Sequence, residues 1–163
     1  MREMFSGAAR PSQRARQNPA AGLAPQLADS RAAFALVRRR AVEWRVNPVK
    51  VGVVGVSAGA MLTLTTELAG SEAKPASIDI IHGPLMSVTF PADAPPMFVA
   101  LSADDPFFGG GGLGLIESWR AAKKPVEFHL FEQGGHGFGM YQKTFTSTGW
   151  FEEFTCWLTM HGW

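Results

Sequence analysis

Ser57 stands in Gly55-Val56-Ser57-Ala58-Gly59, between a β-branched run, Val49–Val56, and a helix-forming segment, Ala60–Leu68. Strand, G-x-S-x-G and helix in that order describe a nucleophile elbow, a turn so tight that the serine hydroxyl stands clear of the backbone. The glycines two positions before and after Ser57 are expected to leave room where a Cβ would strike the neighbouring strand and helix. A serine hydroxyl is a weak nucleophile until a base takes its proton. Ser57 therefore calls for a histidine, and that histidine for an orienting carboxylate.

Four histidines are available: His82, His129, His136 and His161. His129 lies inside an apolar run and reads as a structural sheet residue, His161 as part of a frayed C-terminus, and His82 as the end of a strand. His136 lies in Gly134-Gly135-His136-Gly137-Phe138-Gly139, just past the last predicted strand. Glycines on both sides let such a loop bend over the strand ends, where the sites of open α/β sheets collect. His136 is the expected base. The acid should follow the third strand, where Asp104-Asp105 stand. Asp105 precedes Pro106, which sets the loop direction, and is favoured; Asp104 suits turn hydrogen bonds or solvent. Asp79 begins a strand at the other end of the sheet and reads as a turn residue.

These residues need a scaffold to bring them together. A helix is expected from an N-cap at Asp29 or Ser30 to about Arg45, with Phe34, Val37, Ala41 and Trp44 on one face. Asn47-Pro48 ends it and launches the strand Val49–Val56. Further strands are expected at Ile78–His82, Met97–Ser102 and Val126–Glu132, and helices at Leu113–Ala122 and Trp150–Met160. Alternating strands and helices predict an α/β fold with a mostly parallel sheet. The connection from His82 to Pro95 is polar and proline-laden, with no room for a large helical cap. In the last helix Phe151, Phe154, Trp157 and Leu158 share an apolar face, and Cys156 beside it reads as a small buried side chain.

The 163 residues suit one domain, with 46% hydrophobic and 18% charged residues. Residues 1–26, rich in Ala, Pro, Gln and Arg, read as a mobile basic arm, and 27–163 as a single domain. Residues 1–45 carry nine arginines against Glu3, Asp29 and Glu43. Aromatics do not interleave with the arginines of the arm, so a solubilising tail is favoured over a nucleic-acid binder. A lone cysteine excludes an internal disulfide and fits a cytoplasmic setting. No secretory signal or membrane span is apparent. Gly109-x-Gly111-x-x-Gly114 mimics a dinucleotide fingerprint, but ADDPFF separates it from its strand, whereas a phosphate turn follows the strand at once. No metal motif is present, and no cofactor or metal is expected.

The segments LADSRAAFALVRRRAVEWRVNP, GVVGVSAGA, PADAPPMFVALSADDPFF, IESWRAAKKPVEFHLFEQGGHGFGM and TGWFEEFTCWL resemble the carboxyl-terminal two-thirds of α/β-hydrolase serine esterases. The likeness is strongest to the acetyl-esterase and acetyl-xylan-esterase-like group related to the dienelactone hydrolases. It implies a truncated α/β-hydrolase fold and a Ser57, Asp105, His136 triad acting on carboxylic esters, with the backbone N–H of Ala58 as one oxyanion donor. Such enzymes normally carry further strands before the helix that starts here near Asp29, and a His-Gly-Gly-type loop among them supplies part of the oxyanion hole. This chain has no histidine before Ser57 and no Gly-Gly before Gly109. A weak or restricted esterase is therefore expected, with a non-catalytic remnant that binds small ligands as the alternative. Acid should silence the enzyme as His136 takes a proton. Phe107, Phe108 and Phe138 would wall the pocket, and small short-acyl esters would be the substrates. The bare edge of the strand before Ser57 predicts a homo-oligomer.

Overall fold

The computed structural model describes residues 22–70 and 73–163. Residues 1–21, most of the expected arm, lie outside the described residues. Helix α1 spans Ala24–Arg39 and starts with a proline in its first turn, where the missing N–H costs nothing. Asp29 and Ser30 are inside this helix and not at its cap. Ser30 instead accepts a hydrogen bond from the Thr66 hydroxyl at 3.1 Å, so it ties α1 to the elbow helix. A break at Arg40 separates α1 from the single turn α2, Ala41–Trp44, which ends on Arg45 in a left-handed conformation.

Strand β1 runs Val53–Val56, four residues shorter at its start than the apolar run suggested. Asn47-Pro48-Val49-Lys50 form a turn instead, closed by the Lys50 N–H on the Asn47 carbonyl at 3.0 Å. The Asn47 side chain also accepts the Val49 N–H at 3.1 Å. Such local side-chain bonds offer the backbone an alternative to a sheet ladder. Helix α3, Ala58–Leu68, starts directly after Ser57. β2 (Ile78–Ile81), β3 (Met97–Ser102), α4 (Gly114–Ala121), β4 (Val126–Phe131), a 3-10 turn (Thr146–Gly149) and α5 (Trp150–Met160) follow. No helix interrupts the described chain between β2 and β3.

The strands form one parallel sheet in the order β1-β2-β3-β4, with Val56 beside Ile81 and Ile81 beside Ala100. β2 and β3 are buried throughout, as parallel strands covered on both faces should be. The period of two divides their side chains. Ile78, Ile80, Met97, Val99 and Leu101 pack with Ala60, Leu64, Leu115 and Trp119 on the α3–α4 side. Ile81, Phe98 and Ala100 pack with Phe138, Trp150, Phe154 and Trp157 on the α5 side. Each such large side chain contributes about 1.5–3 kcal/mol by leaving water.

Four expectations fail locally. Cys156 is exposed, and Phe151 is 40% exposed while Trp150 takes the core position instead. His161 is no frayed end: it closes α5, its N–H bonded to the Trp157 and Leu158 carbonyls, with its ring against Trp157 at 4.7 Å between centroids. Asp79 is no turn residue. It is buried within β2, accepts the Ser77 hydroxyl at 3.0 Å, and burial pushes its carboxyl up to about 7. No helix among the described residues is long and apolar enough to cross a membrane.

Candidate active site

All four strands point their carboxyl ends the same way, so the segments after β1, β2, β3 and β4 meet on one rim. The segment after β1 is the elbow. Ser57 adopts φ 56° and ψ −115°, a strained backbone for a residue with a side chain, costing on the order of 1–3 kcal/mol. Its N–H donates to the Ile81 carbonyl at 2.9 Å, so the β1–β2 ladder holds the turn in place. A Cβ on Gly55 would collide with the Gly59 carbonyl and the Thr63 hydroxyl, whereas the space beside Gly59 is open. Only the first glycine of the motif is demanded by crowding. Ala58 opens α3, and its N–H has no carbonyl one turn back to bond, which leaves it at the positive end of the helix dipole beside Ser57.

The segment after β3 carries Asp105, the expected acid. Asp105 is 3% exposed. Its Oδ1 accepts the N–H groups of Phe107 at 2.8 Å and Phe108 at 3.2 Å, an Asx-type turn that orients the carboxylate. Its Oδ2 faces His136 Nδ1 at 2.8 Å. Burial alone would raise the Asp105 carboxyl; the hydrogen bonds from His136 and from the two backbone amides outweigh it and hold it below the usual carboxylate range. An ionised Asp105 only accepts, so Nδ1 of His136 must carry the proton. Nε2 is then the acceptor. It lies 2.8 Å from Ser57 Oγ, in position to receive the hydroxyl proton.

The loop after β4 holds His136, the expected base. Gly135, Gly137 and Gly139 are all left-handed, at φ 65°, 73° and 54°, a run that side chains would resist. Such a loop has little stiffness of its own, and three outside contacts supply it. Asp104 Oδ1 accepts the Gly135 N–H at 2.8 Å. Trp150 Nε1–H donates to the Gly139 carbonyl at 2.8 Å. Gly134 is wedged under two hydroxyls: a Cβ there would stand 2.7 Å from Ser147 Oγ and closer still to Ser102 Oγ.

The expected phenylalanines divide. Phe107 is 73% exposed and meets the His136 ring edge-on at 4.8 Å between centroids, with Phe108 at 5.8 Å. Phe138 is 2% exposed and belongs to the core on the α5 side, beneath the base loop. His129 is turned to Glu127 on β4, at 2.9 Å, and takes no part. Sequence reasoning missed Asp104 and Trp150 as supports of the loop. It also placed no weight on His82, which is fully buried under His136. An aspartate pair directly after a strand, and a tryptophan opening the last helix, were the available signals.

A cleft of about 540 Å³ lined by Val88, Phe90, Pro91 and Ser118 lies by the C-terminal end of α4, at the opposite end of the sheet. Its size therefore does not mark the chemistry. No cluster of three or more His, Cys, Asp or Glu that would hold a metal is gathered among the described residues. The arrangement can activate an alcohol as a nucleophile and shuttle its proton.

No protein-family model and no curated protein matches this chain. Solved structures do. An α/β hydrolase from a Medee basin deep-sea metagenome library is 27% identical, with a TM-score of 0.67, over 81% of this chain and 62% of that one. An acetyl ester-xyloside bifunctional hydrolase from Caldicellulosiruptor lactoaceticus is 19% identical, TM-score 0.70, over 83% of this chain and 65% of that one. A putative carboxylesterase from Lactobacillus plantarum is 22% identical, TM-score 0.67, over 83% and 68%. The chain thus spans less than two thirds of the first two. Its four-stranded parallel sheet and flanking helices match those of α/β hydrolases, and the structural neighbours are esterases and hydrolases.

Proposed function

We propose that this chain is a serine hydrolase of carboxylic esters, of the acetyl-esterase kind, acting on small short-acyl substrates. One observation carries the reading: an unbroken hydrogen-bonded relay from Asp105 through His136 to Ser57, with both ring nitrogens at 2.8 Å from their partners. In the first half-reaction the Ser57 hydroxyl passes its proton to His136 Nε2 as Oγ attacks the acyl carbon. Asp105 steadies the imidazolium. The tetrahedral oxyanion is met by the Ala58 N–H. Collapse of that intermediate breaks the ester C–O bond, and His136 returns the proton to the departing alcohol. Water repeats the sequence on the acyl-enzyme, releasing the acid and restoring Ser57.

Among the described residues the elbow offers the Ala58 N–H as an oxyanion donor, and losing one such donor costs roughly a hundred- to a thousand-fold. Labelling with a serine-directed fluorophosphonate, mapped by mass spectrometry, tests whether Ser57 is activated. Hydrolysis of p-nitrophenyl acetate should fall roughly a thousand-fold or more in Ser57→Ala. Equal rates in the two proteins would leave the other reading, a hydrolase-like fold that binds small ligands without turning them over.

The homo-oligomer expected from the sequence would pair through β1, an edge strand of the sheet among the described residues. Val53 and Ser57 direct their N–H groups to β2, so by alternation Val54 and Val56 direct theirs outward. Both valines are about half exposed, at 52% and 48%. An apolar edge with open backbone groups favours pairing with another chain. Light scattering that finds only monomer at micromolar concentration would refute this.

A further inference from the structure

His82 ends β2, one position past Ile81, and is 0% exposed. Its ring lies 5.6 Å from the His136 ring and 3.7 Å from Phe138, edge to face. Neither ring nitrogen has a hydrogen-bond partner among the described residues. Burying a polar edge without a partner is costly, so a plain core position would be better served by an apolar side chain. The backbone is unusual as well. His82 sits at φ 52°, left-handed like Ser57 at φ 56° beside it on the rim. Strain of this kind persists only where surrounding structure enforces it, and histidine is among the few side chains enriched in that conformation.

The residue touches both halves of the nucleophile–base pair. Its N–H is held by the Ala100 carbonyl at 3.0 Å, and the carbonyl just before it, that of Ile81, receives the Ser57 N–H at 2.9 Å. Its ring supports His136 from below, while Phe107 and Phe108 meet that imidazole from the acid loop. The glycine-rich base loop cannot fix the tilt of His136 by its own backbone. Resting on the serine-hydrolase reading, we propose that His82 is a positioning residue: a planar brace that holds His136 in line with Ser57 and Asp105, while the peptide joining it to Ile81 holds the elbow.

An uncharged ring matters because His136 becomes cationic each time it takes the Ser57 proton. A second cation at 5.6 Å would oppose that step. Burial first, and then the charges of His136 and Lys143, push the His82 imidazole down to about 4, with Asp105 pulling the other way. Among the described residues these are the charged groups whose influence on it is resolved. The brace is therefore neutral at neutral pH.

The test compares wild type with His82→Asn and His82→Phe in the full chain. Asparagine tolerates the left-handed backbone but removes the ring; phenylalanine keeps a ring of similar shape. With p-nitrophenyl acetate, His82→Asn should lower kcat at least about tenfold with KM within about twofold, as expected when a group acting only in the transition state is misplaced. Fluorophosphonate labelling of Ser57 should slow in parallel, with the melting temperature nearly unchanged. His82→Phe, if it folds, should recover most of kcat. Unchanged kcat in His82→Asn, a loss that merely follows a collapsed melting transition, or a folded His82→Phe no better than His82→Asn overturns the brace. If His82→Phe does not fold, His82→Asn decides alone. A wild type that is neither active nor labelled defeats the hydrolase reading instead. The brace is then judged by the His136 Nδ1–H resonance in NMR, which His82→Asn should move; an unmoved resonance overturns it.

Discussion

Asp104 Oδ1 accepts the Gly135 N–H at 2.8 Å, one residue before the Asp105–His136 pair on each of the two loops. The two adjacent carboxylates therefore grip the same loop at adjacent residues. One orients the imidazole and the other holds the backbone that carries it. Positioning of this kind is worth much in rate because small misplacements of a reacting group are heavily penalised.

Asp104→Ala removes that grip and leaves the triad chemically intact. Asp104 is exposed, so the stability loss should be small, about 1 kcal/mol. Turnover should suffer more, by roughly tenfold in kcat with little change in KM. Steady-state hydrolysis of p-nitrophenyl acetate beside urea unfolding separates the two. A wild-type kcat would show that the Gly135 contact is idle.

Gly134→Ala places a methyl group against Ser102 Oγ and Ser147 Oγ. Both hydroxyls are buried, and neither can swing out cheaply. Overpacking of this kind costs about 1–3 kcal/mol, and the base loop is the part free to yield. The variant should melt lower and lose most of its activity. Thermal unfolding followed by circular dichroism, with the esterase assay in parallel, checks both effects.

Asp79→Asn should raise stability in a pH-dependent way. The folded carboxyl titrates at about 7 against an ordinary 3.8, so between these values the native state keeps a proton that the unfolded chain releases. Unfolding free energy from this group therefore falls as pH rises from about 4 to about 7. Asparagine can still accept the Ser77 hydroxyl and never ionises. The gain should be near zero at pH 4 and roughly 2–4 kcal/mol at pH 8. Urea melts at the two values decide it; an equal gain at both would contradict the linkage.

Acyl-chain preference follows from the shape of the rim. Among the described residues no helix lies in the chain between β2 and β3, and Phe107, which meets the His136 ring at 4.8 Å between centroids, is largely exposed. Acetyl and butyryl esters should be turned over faster than octanoyl esters. Phe107→Ala should raise KM several-fold and leave kcat within about threefold. A preference of the wild type for octanoyl or longer chains would contradict this reading of the open rim.

Ser57, Asp105 and His136 could be picked out as candidates because each is marked locally. A glycine-flanked serine after a β-branched run, an aspartate after an apolar strand, and a histidine among glycines all carry their geometry in neighbouring residues. β3 and α5 were legible to the residue for the same reason, since their apolar periods match their lengths. β1 was read too long because Val49 belongs to a turn that the Asn47 side chain stabilises, a competition that hydrophobic pattern does not record. The helix N-cap was misplaced because Ser30 found a better partner in Thr66 across the α1–α3 contact.

What the linear chain determined by itself was the set of local conformations and the order in which its three catalytic candidates appear. Only the tertiary structure decided which side chains support them. The register of β1 on β2 and β2 on β3 sets His82 under His136, and the packing of α5 brings Trp150 to Gly139. Contacts between residues far apart in sequence depend on how whole elements stack, and no local pattern of residue types encodes that arrangement.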